Sequence, residues 1–330
     1  VIEQFCDIPE RSQWFTPQAE SADIRFGGWI ENLYNPEQAG PGDIILLGIP
    51  QDEGVRRNGG RPGAQLAPMA IRRALGKLSC TGPIGVNLAA LGFRIFDAGD
   101  IRCESLSLGE IRAVHQHIAG LLLGTGASLI VLGGGHDIAW PDAAALSAHA
   151  LHGFSIINID PHLDVRPLIP DNNAHSGSPF REILENLNNV RYFAEFGTQA
   201  FAAADIHLQF AQKHHADIYW YHRLRARNTI YADFCACTEK ALAAAPDLYI
   251  SFDTDALASA YGPGVSAPAS PGFTADEFCM MAYRAGQTGA RLIDFVEMNP
   301  AYDVDGRTAR IIALSIAWTV FGLCCPDTEL

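Results

Sequence analysis

The strongest constraint on this chain is a recurring alternation of short apolar runs with helix-like segments. DIILLGI (43–49), RIFDAGD (94–100), SLIVLGGG (128–135), GFSIINID (153–160), VRYFAEFG (190–197), ADIYWY (216–221), DLYISFD (247–253) and RLIDFVE (291–297) each read as a strand. Amphipathic or alanine-rich stretches at 67–75, 108–123, 137–151, 201–214, 234–245, 274–286 and 308–323 read as helices. Most of the strand runs are apolar without alternation, so both faces of the sheet must be covered. Strands separated by helices favour parallel pairing, because parallel neighbours need a crossover connection. The pattern predicts an α/β chain: three layers, αβα, around a mainly parallel central sheet. No linker, repeat or low-complexity stretch interrupts it. Residues 43–330 therefore read as one domain and residues 1–42 as an N-terminal extension packed on it.

Composition narrows the function. With 48% hydrophobic and 18% charged residues in 330, the chain can fill a large core and is not disordered. A net charge of -14 disfavours nucleic acid and anionic membranes but leaves room for an anionic small substrate in a locally basic pocket. The apolar region at 118–132 is broken by Gly, Thr and Ser, so no membrane span is expected there. The first residues show no basic and apolar leader pattern, and the eight cysteines include no C-x-x-C pair. The expectation is a cytoplasmic protein with reduced thiols and no thiolate zinc site.

Chemistry gathers at the predicted strand ends. SLIVLGGG leads to His136, GFSIINI to Asp160, His162 and Asp164, DLYISF to Asp253 and Asp255, and RLIDFV to Glu297. In open parallel sheets, ligands bind beyond the carboxyl ends of the strands, so these distant segments are expected at one edge. Taken singly, each residue has an ordinary explanation: a loop histidine, a helix cap, a surface ion pair. Seven ionisable groups at strand ends need a common one, since uncompensated buried charge is costly. Four aspartates and two neutral histidines carry a formal charge of about -4, which two divalent ions balance. Carboxylate and imidazole ligands without thiolate favour Mn²⁺, Fe²⁺, Co²⁺ or Zn²⁺ over Mg²⁺. A water between two such ions is acidified, and the inferred reaction is a hydrolysis.

The blocks GGGHD (133–137), DPHLD (160–164), SFDTD (251–255) and VEMNP (296–300) resemble, in order, those of the ureohydrolase family of arginases, agmatinases and formiminoglutamases. GVRRNGGRPGAQLAP (54–68) is similar to the family's N-terminal glycine-arginine block. HSGSPF (175–180), PGVSAP (263–268) and NPAYDVDGRTAR (299–310), with Ala258 and Ser259 where arginases usually carry Asp-Pro, look most like the formiminoglutamase branch. The resemblance implies an arginase-like fold and two Mn²⁺ per chain. One ion would be held by His136, Asp160, Asp164 and Asp253, the other by Asp160, His162, Asp253 and Asp255. It implies that a bridging hydroxide, oriented by Asp164, attacks the formimino carbon of N-formimino-L-glutamate, giving L-glutamate and formamide, as in histidine degradation. Glu297 would hold the formimino nitrogens. Family members often carry a histidine that shuttles protons; here that alignment falls on Ser176, with His175 one place earlier. The resemblance also suggests a homo-oligomer, a trimer or a hexamer.

Substrate choice is read from the basic segment. Arg56, Arg57 and Arg61 lie within six positions among glycines, a loop suited to a dicarboxylate. Arg57 is expected to lead, with Arg166, Asn172 and Asn173 as further contacts. Two alternatives stand beside this reading: an agmatinase- or guanidinobutyrase-like hydrolase of the same fold, and a metal-binding homologue without catalysis.

Overall fold

The computed structural model describes residues 2–17, 23–170 and 173–328. Its ten strands are β1 (Cys6–Asp7), β2 (Glu31–Asn32), β3 (Ile44–Gly48), β4 (Ile95–Ile101), β5 (Ser128–Leu132), β6 (Phe154–Ile159), β7 (Val190–Thr198), β8 (Asp217–Trp220), β9 (Asp247–Asp253) and β10 (Leu292–Val296). They form one sheet in the order β1-β4-β3-β5-β10-β9-β6-β7-β8, with β2 also beside β4. Every pairing between these strands is parallel except that of β1 with β4. The residues before Asp43 thus supply two short strands at one end of the sheet.

The helices are α1 (Phe26–Trp29), α2 (Glu53–Arg57), α3 (Ala67–Leu75), α4 (Leu108–Leu123), α5 (Ala139–His149), α6 (Pro179–Asn186), α7 (Asp205–Lys213), α8 (Tyr221–Arg227), α9 (Ile230–Ala244), α10 (Ala275–Gln287) and α11 (Arg307–Cys324). Alternate residues of each strand point to opposite faces. In β3, Ile44 and Leu46 join one apolar core while Ile45 and Leu47 join the other. The first core packs under α3, α9, α10 and α11 through Ile71, Phe234, Phe278 and Ile312. The second lies under α4, α5 and α6 through Ile118, Leu146 and Phe180. These are the three expected layers.

Local signals position the helices. Ser107 and Glu110 close a capping box at the start of α4, and Thr274 and Glu277 do so for α10. Arg72 of α3 is buried in a fork with Asp97 at 2.7 and 2.8 Å and reaches Asp100 at 2.5 Å, tying α3 to β4. By length and composition α11 could cross a membrane, yet it packs against α10 and α3 and 67% of it is buried. It is a core helix in this fold.

Four helices lie where the sequence reading has none. The segments of α1 and α6 are unassigned, that of α2 reads as a loop because of its glycines, and Tyr221 reads as strand but begins α8. The strand order matters most for function. Strands β5, β10, β9 and β6 are consecutive neighbours at the centre of the sheet, and they carry the four loaded ends.

Candidate active site

The β5 end passes through three glycines to His136. A Cβ at Gly134 would lie 1.8 Å from the Gln51 carbonyl oxygen, so only glycine lets this turn sit against the segment after β3. His136 is fully buried. Its Nδ1 stands 3.0 Å from Asp164 Oδ2, 3.0 Å from Asp253 Oδ2 and 3.4 Å from Asp160 Oδ2. None of these approaches has hydrogen-bond geometry, and Nδ1 is a buried nitrogen without a hydrogen-bond partner among the described residues. On the other side, Nε2 is 3.0 Å from Ser251 Oγ, whose hydroxyl donates to Asp294 Oδ1 at 2.6 Å. Ser251 has spent its proton, so its oxygen accepts from Nε2–H. In the neutral ring that a metal requires, this assigns the lone pair to Nδ1, facing three carboxylates. An imidazole lone pair and three carboxylate oxygens gathered within 4.8 Å of one another are a ligand set for a divalent cation.

Flanking groups extend the cluster. Asp160 Oδ1 accepts from the His162 backbone N–H at 2.7 Å and lies 3.2 Å from His162 Nδ1. Asp253 Oδ1 accepts from the Asp255 N–H at 2.7 Å. Glu297 Oε1 accepts from the His136 N–H at 2.8 Å, and no hydrogen bond to Oε2 is found among the described residues. Two of these residues, Asp164 at φ 44° and Glu297 at φ 63°, hold left-handed backbone conformations. Such conformations cost an L-residue about 1–2 kcal/mol each, which the surrounding packing must offset.

The electrostatics show how much negative charge is confined here. Burial, reinforced by the charge of Asp160, pushes the Asp253 carboxyl up to about 7. Burial and then Asp253 push Asp255 and Glu297 well above the ordinary range. Burial works against a charged His136, but contacts with Asp160, Asp164 and Asp253 raise it well above its usual value. Without metal, the cluster keeps protons to limit its own repulsion, and a cation would replace them.

A cavity of about 320 Å³ opens onto this cluster. It is lined by the acidic and imidazole groups His162, Asp164, Asp253, Asp255 and Glu297, and also by Asn58, Arg61, Arg166, Ser176, His207 and Ser266. The four central strand ends thus meet as the sequence implies. The basic residues are arranged differently. In α2, Arg56 and Arg57 fall three and four residues after Glu53 and pair with it at 3.0 and 3.1 Å. Arg57 also donates to Asn173 Oδ1 and the Ala174 carbonyl, both at 3.3 Å, and neither Arg56, Arg57 nor Asn173 lines the cavity. Asn172 lies outside the described residues. Arg61 lines the cavity but binds the carbonyls of Val265 and Ser266 and stacks on Tyr302 at 4.0 Å. Arg166 lines it with a single side-chain hydrogen bond among the described residues, to Asn58 Oδ1 at 3.1 Å.

His175 is buried outside the cavity. Its Nε2 is 3.1 Å from the Pro167 carbonyl, and its Nδ1 accepts from Gly177 N–H at 3.2 Å. Ser176 takes the lining place, held by Asn58 Nδ2 at 3.1 Å. Asn58, His207 and Ser266 are cavity residues the sequence reading passes over. For His207 a signal exists: it follows the carboxyl end of β7, at the same sheet edge as the metal blocks.

Comparison with known proteins agrees with this geometry. The chain matches the Arginase family model over residues 42–322. It is 33% identical over 285 residues to the formimidoylglutamase of Paraburkholderia xenovorans, covering 82% of this chain and 84% of that one. It is 35% identical over 304 residues to the formimidoylglutamase of Aromatoleum aromaticum, covering 84% and 82%. The crystal structure of Trypanosoma cruzi formiminoglutamase with Mn²⁺ superposes with a TM-score of 0.83 at 32% identity, covering 92% of this chain and 99% of that one.

Proposed function

This chain belongs to the arginase family, and from that premise we propose that it hydrolyses N-formimino-L-glutamate to L-glutamate and formamide with two Mn²⁺. The residues fit the ions. The unpartnered Nδ1 of His136 and the carboxylates of Asp160, Asp164 and Asp253 would hold one. Asp160 and Asp253, with His162 and Asp255 beside them, would hold the second. When bound, the ions supply Lewis acidity and a water acidic enough to serve as nucleophile near neutral pH.

The protein's own groups do the positioning. Glu297 lines the cavity, and its Oε2, without a hydrogen-bond partner among the described residues, accepts hydrogen bonds from the cationic formimino group and holds its carbon near the carboxylate cluster. The His136 N–H fixes the other oxygen, so the carboxylate cannot swing. Asp164, locked by its left-handed backbone, orients the nucleophile. Arg166, in the same cavity, supplies positive charge for the substrate's carboxylates. The scheme gives His175 no part, because both ring nitrogens serve backbone groups.

The observation that carries this reading is the convergence of His136 Nδ1 with three carboxylates beside Glu297, in a cavity that also presents Arg166. The test is release of L-glutamate and formamide by Mn²⁺-loaded protein, with agmatine, arginine and guanidinobutyrate as parallel substrates. Turnover of the formimino substrate alone is expected. Urea release from a guanidino substrate, with formiminoglutamate inert, would refute the assignment.

A further inference from the structure

Sheet order lays out a polarity across the cavity. Glu297 follows β10, Asp253 and Asp255 end β9, and Asp160 to Arg166 follow β6. The next strand outward is β7, and beyond its end comes α7 with His207. Carboxylates line the cavity after β10, β9 and β6, whereas the segment after β7, three strands from β10 in the sheet order, brings only Ala202, Ala203, Ala204 and His207 to it. Arg61 stands among segments that follow β9 and β10, and two of its guanidinium nitrogens are bound to the carbonyls of Val265 and Ser266. It has little left for a ligand. On the β7 side the balance reverses. Arg166 makes one side-chain hydrogen bond, to Asn58, and His207 makes none among the described residues.

We infer that His207 is a specificity-determining residue that, beside Arg166, receives the side-chain carboxylate of the substrate. The inference rests on the proposed function and names which carboxylate is read and by what. With the formimino group at Glu297, the carboxylate next to the reacting nitrogen stays near the metal ligands. The side-chain carboxylate, extended two methylenes further, reaches the β7 side. Burial, then the charges of Arg166 and Arg181, hold the His207 imidazole below its ordinary value. Near pH 7 the ring is then neutral and offers one N–H, while Arg166 supplies the charge. One cavity thus presents a cationic fork and a neutral donor, a combination that suits a carboxylate and disfavours the ammonium of agmatine.

The test compares N-formimino-L-glutamate with N-formimino-L-norvaline, which keeps the chain length and lacks the side-chain carboxylate. For His207→Ala, KM for the glutamate substrate is expected to rise about 10- to 100-fold, the range for losing a hydrogen bond to a charged group, with kcat little changed. KM for the norvaline substrate should stay as in the unaltered enzyme. His207→Gln, which keeps an N–H donor, should recover part of the loss. Equal effects on both substrates, or none on either, would overturn the inference. Calorimetric binding of L-glutamate and L-norvaline to the Mn²⁺-loaded protein separates this from failure of the proposed reaction. A preference for L-glutamate that His207→Ala removes would support the subsite even if no formimino compound is turned over. No such preference in the unaltered protein would sink it.

Discussion

Glu297→Gln isolates the substrate-facing role of one carboxylate from the metal site. The side chain is almost fully buried, and its Oε1 takes the His136 N–H at 2.8 Å. Glutamine keeps the shape and can keep that bond through its carbonyl oxygen. The other arm changes from a carboxylate oxygen to an NH₂ group and meets the N–H donors of a cationic formimino group. Two charge-assisted hydrogen bonds of about 1.5–3 kcal/mol each are then lost. At ~1.4 kcal/mol per factor of ten, kcat/KM should fall by about 10²- to 10⁴-fold. Mn²⁺ content should not change, because Glu297 is outside the four-group cluster. Steady-state kinetics and metal analysis on the same preparation decide the matter. A variant that binds its metal and keeps kcat/KM within tenfold of the original would refute the placement of the substrate on Glu297. Loss of metal together with activity would show that the residue serves the metal site instead.

Asp160→Asn should abolish both metal binding and turnover, since Asp160 faces His136 and His162 at once; two ions and full activity in the variant would refute the shared role. In metal-free protein, burial and Asp160 raise Asp253 from 3.8 to about 7. The folded state then holds a proton that the unfolded chain releases, so this contribution is fully present below pH 3.8 and lost as pH rises through about 7. Mn²⁺ displaces that proton, and the Mn²⁺-induced gain in Tm should widen from about pH 5.5 to pH 8; a gain that stays flat with pH would contradict it. Arg72→Met leaves Asp97 buried and unpaired, and urea unfolding should show a loss of about 3–5 kcal/mol, whereas a loss below ~1 kcal/mol would mean the pair is not buried as described.

Some of this protein is decided by neighbours in the chain. Apolar runs such as IILLG and SLIVL can only be strands covered on both faces, and the helices at 67–75 and 108–123 begin and end where the sequence reading places them. The metal block around Asp160 is local as well: side chains at every second position after a core strand converge on one edge, and the His162 N–H locks Asp160 within three residues. The basic segment shows the limit. Its glycines suggest an open loop, but Glu53 stands three and four residues before Arg56 and Arg57, and once α2 forms those pairs draw both arginines away from the cavity. That competition between a local ion pair and a ligand depends on backbone conformation, which residue types alone leave open.

Other features come only with the tertiary structure. The sequence sets His136, Asp160, Asp253 and Glu297 at strand ends, but strand order makes β5, β10, β9 and β6 neighbours and so brings the ends together. Ser251 opens the SFDTD block without any ligand role read from it, yet it assigns the tautomer of the neutral His136 because β9 runs beside β10 and its Asp294. His207 is an unremarked helix residue until β7 is seen beside β6. Ligand chemistry and layering are legible in the chain of residues, because both follow from residue type and short-range periodicity. The tertiary structure alone decided which donors remain free to meet a substrate, because that depends on partners more than a hundred residues away, such as the Ser176 and Asn173 side chains that occupy Asn58 and Arg57.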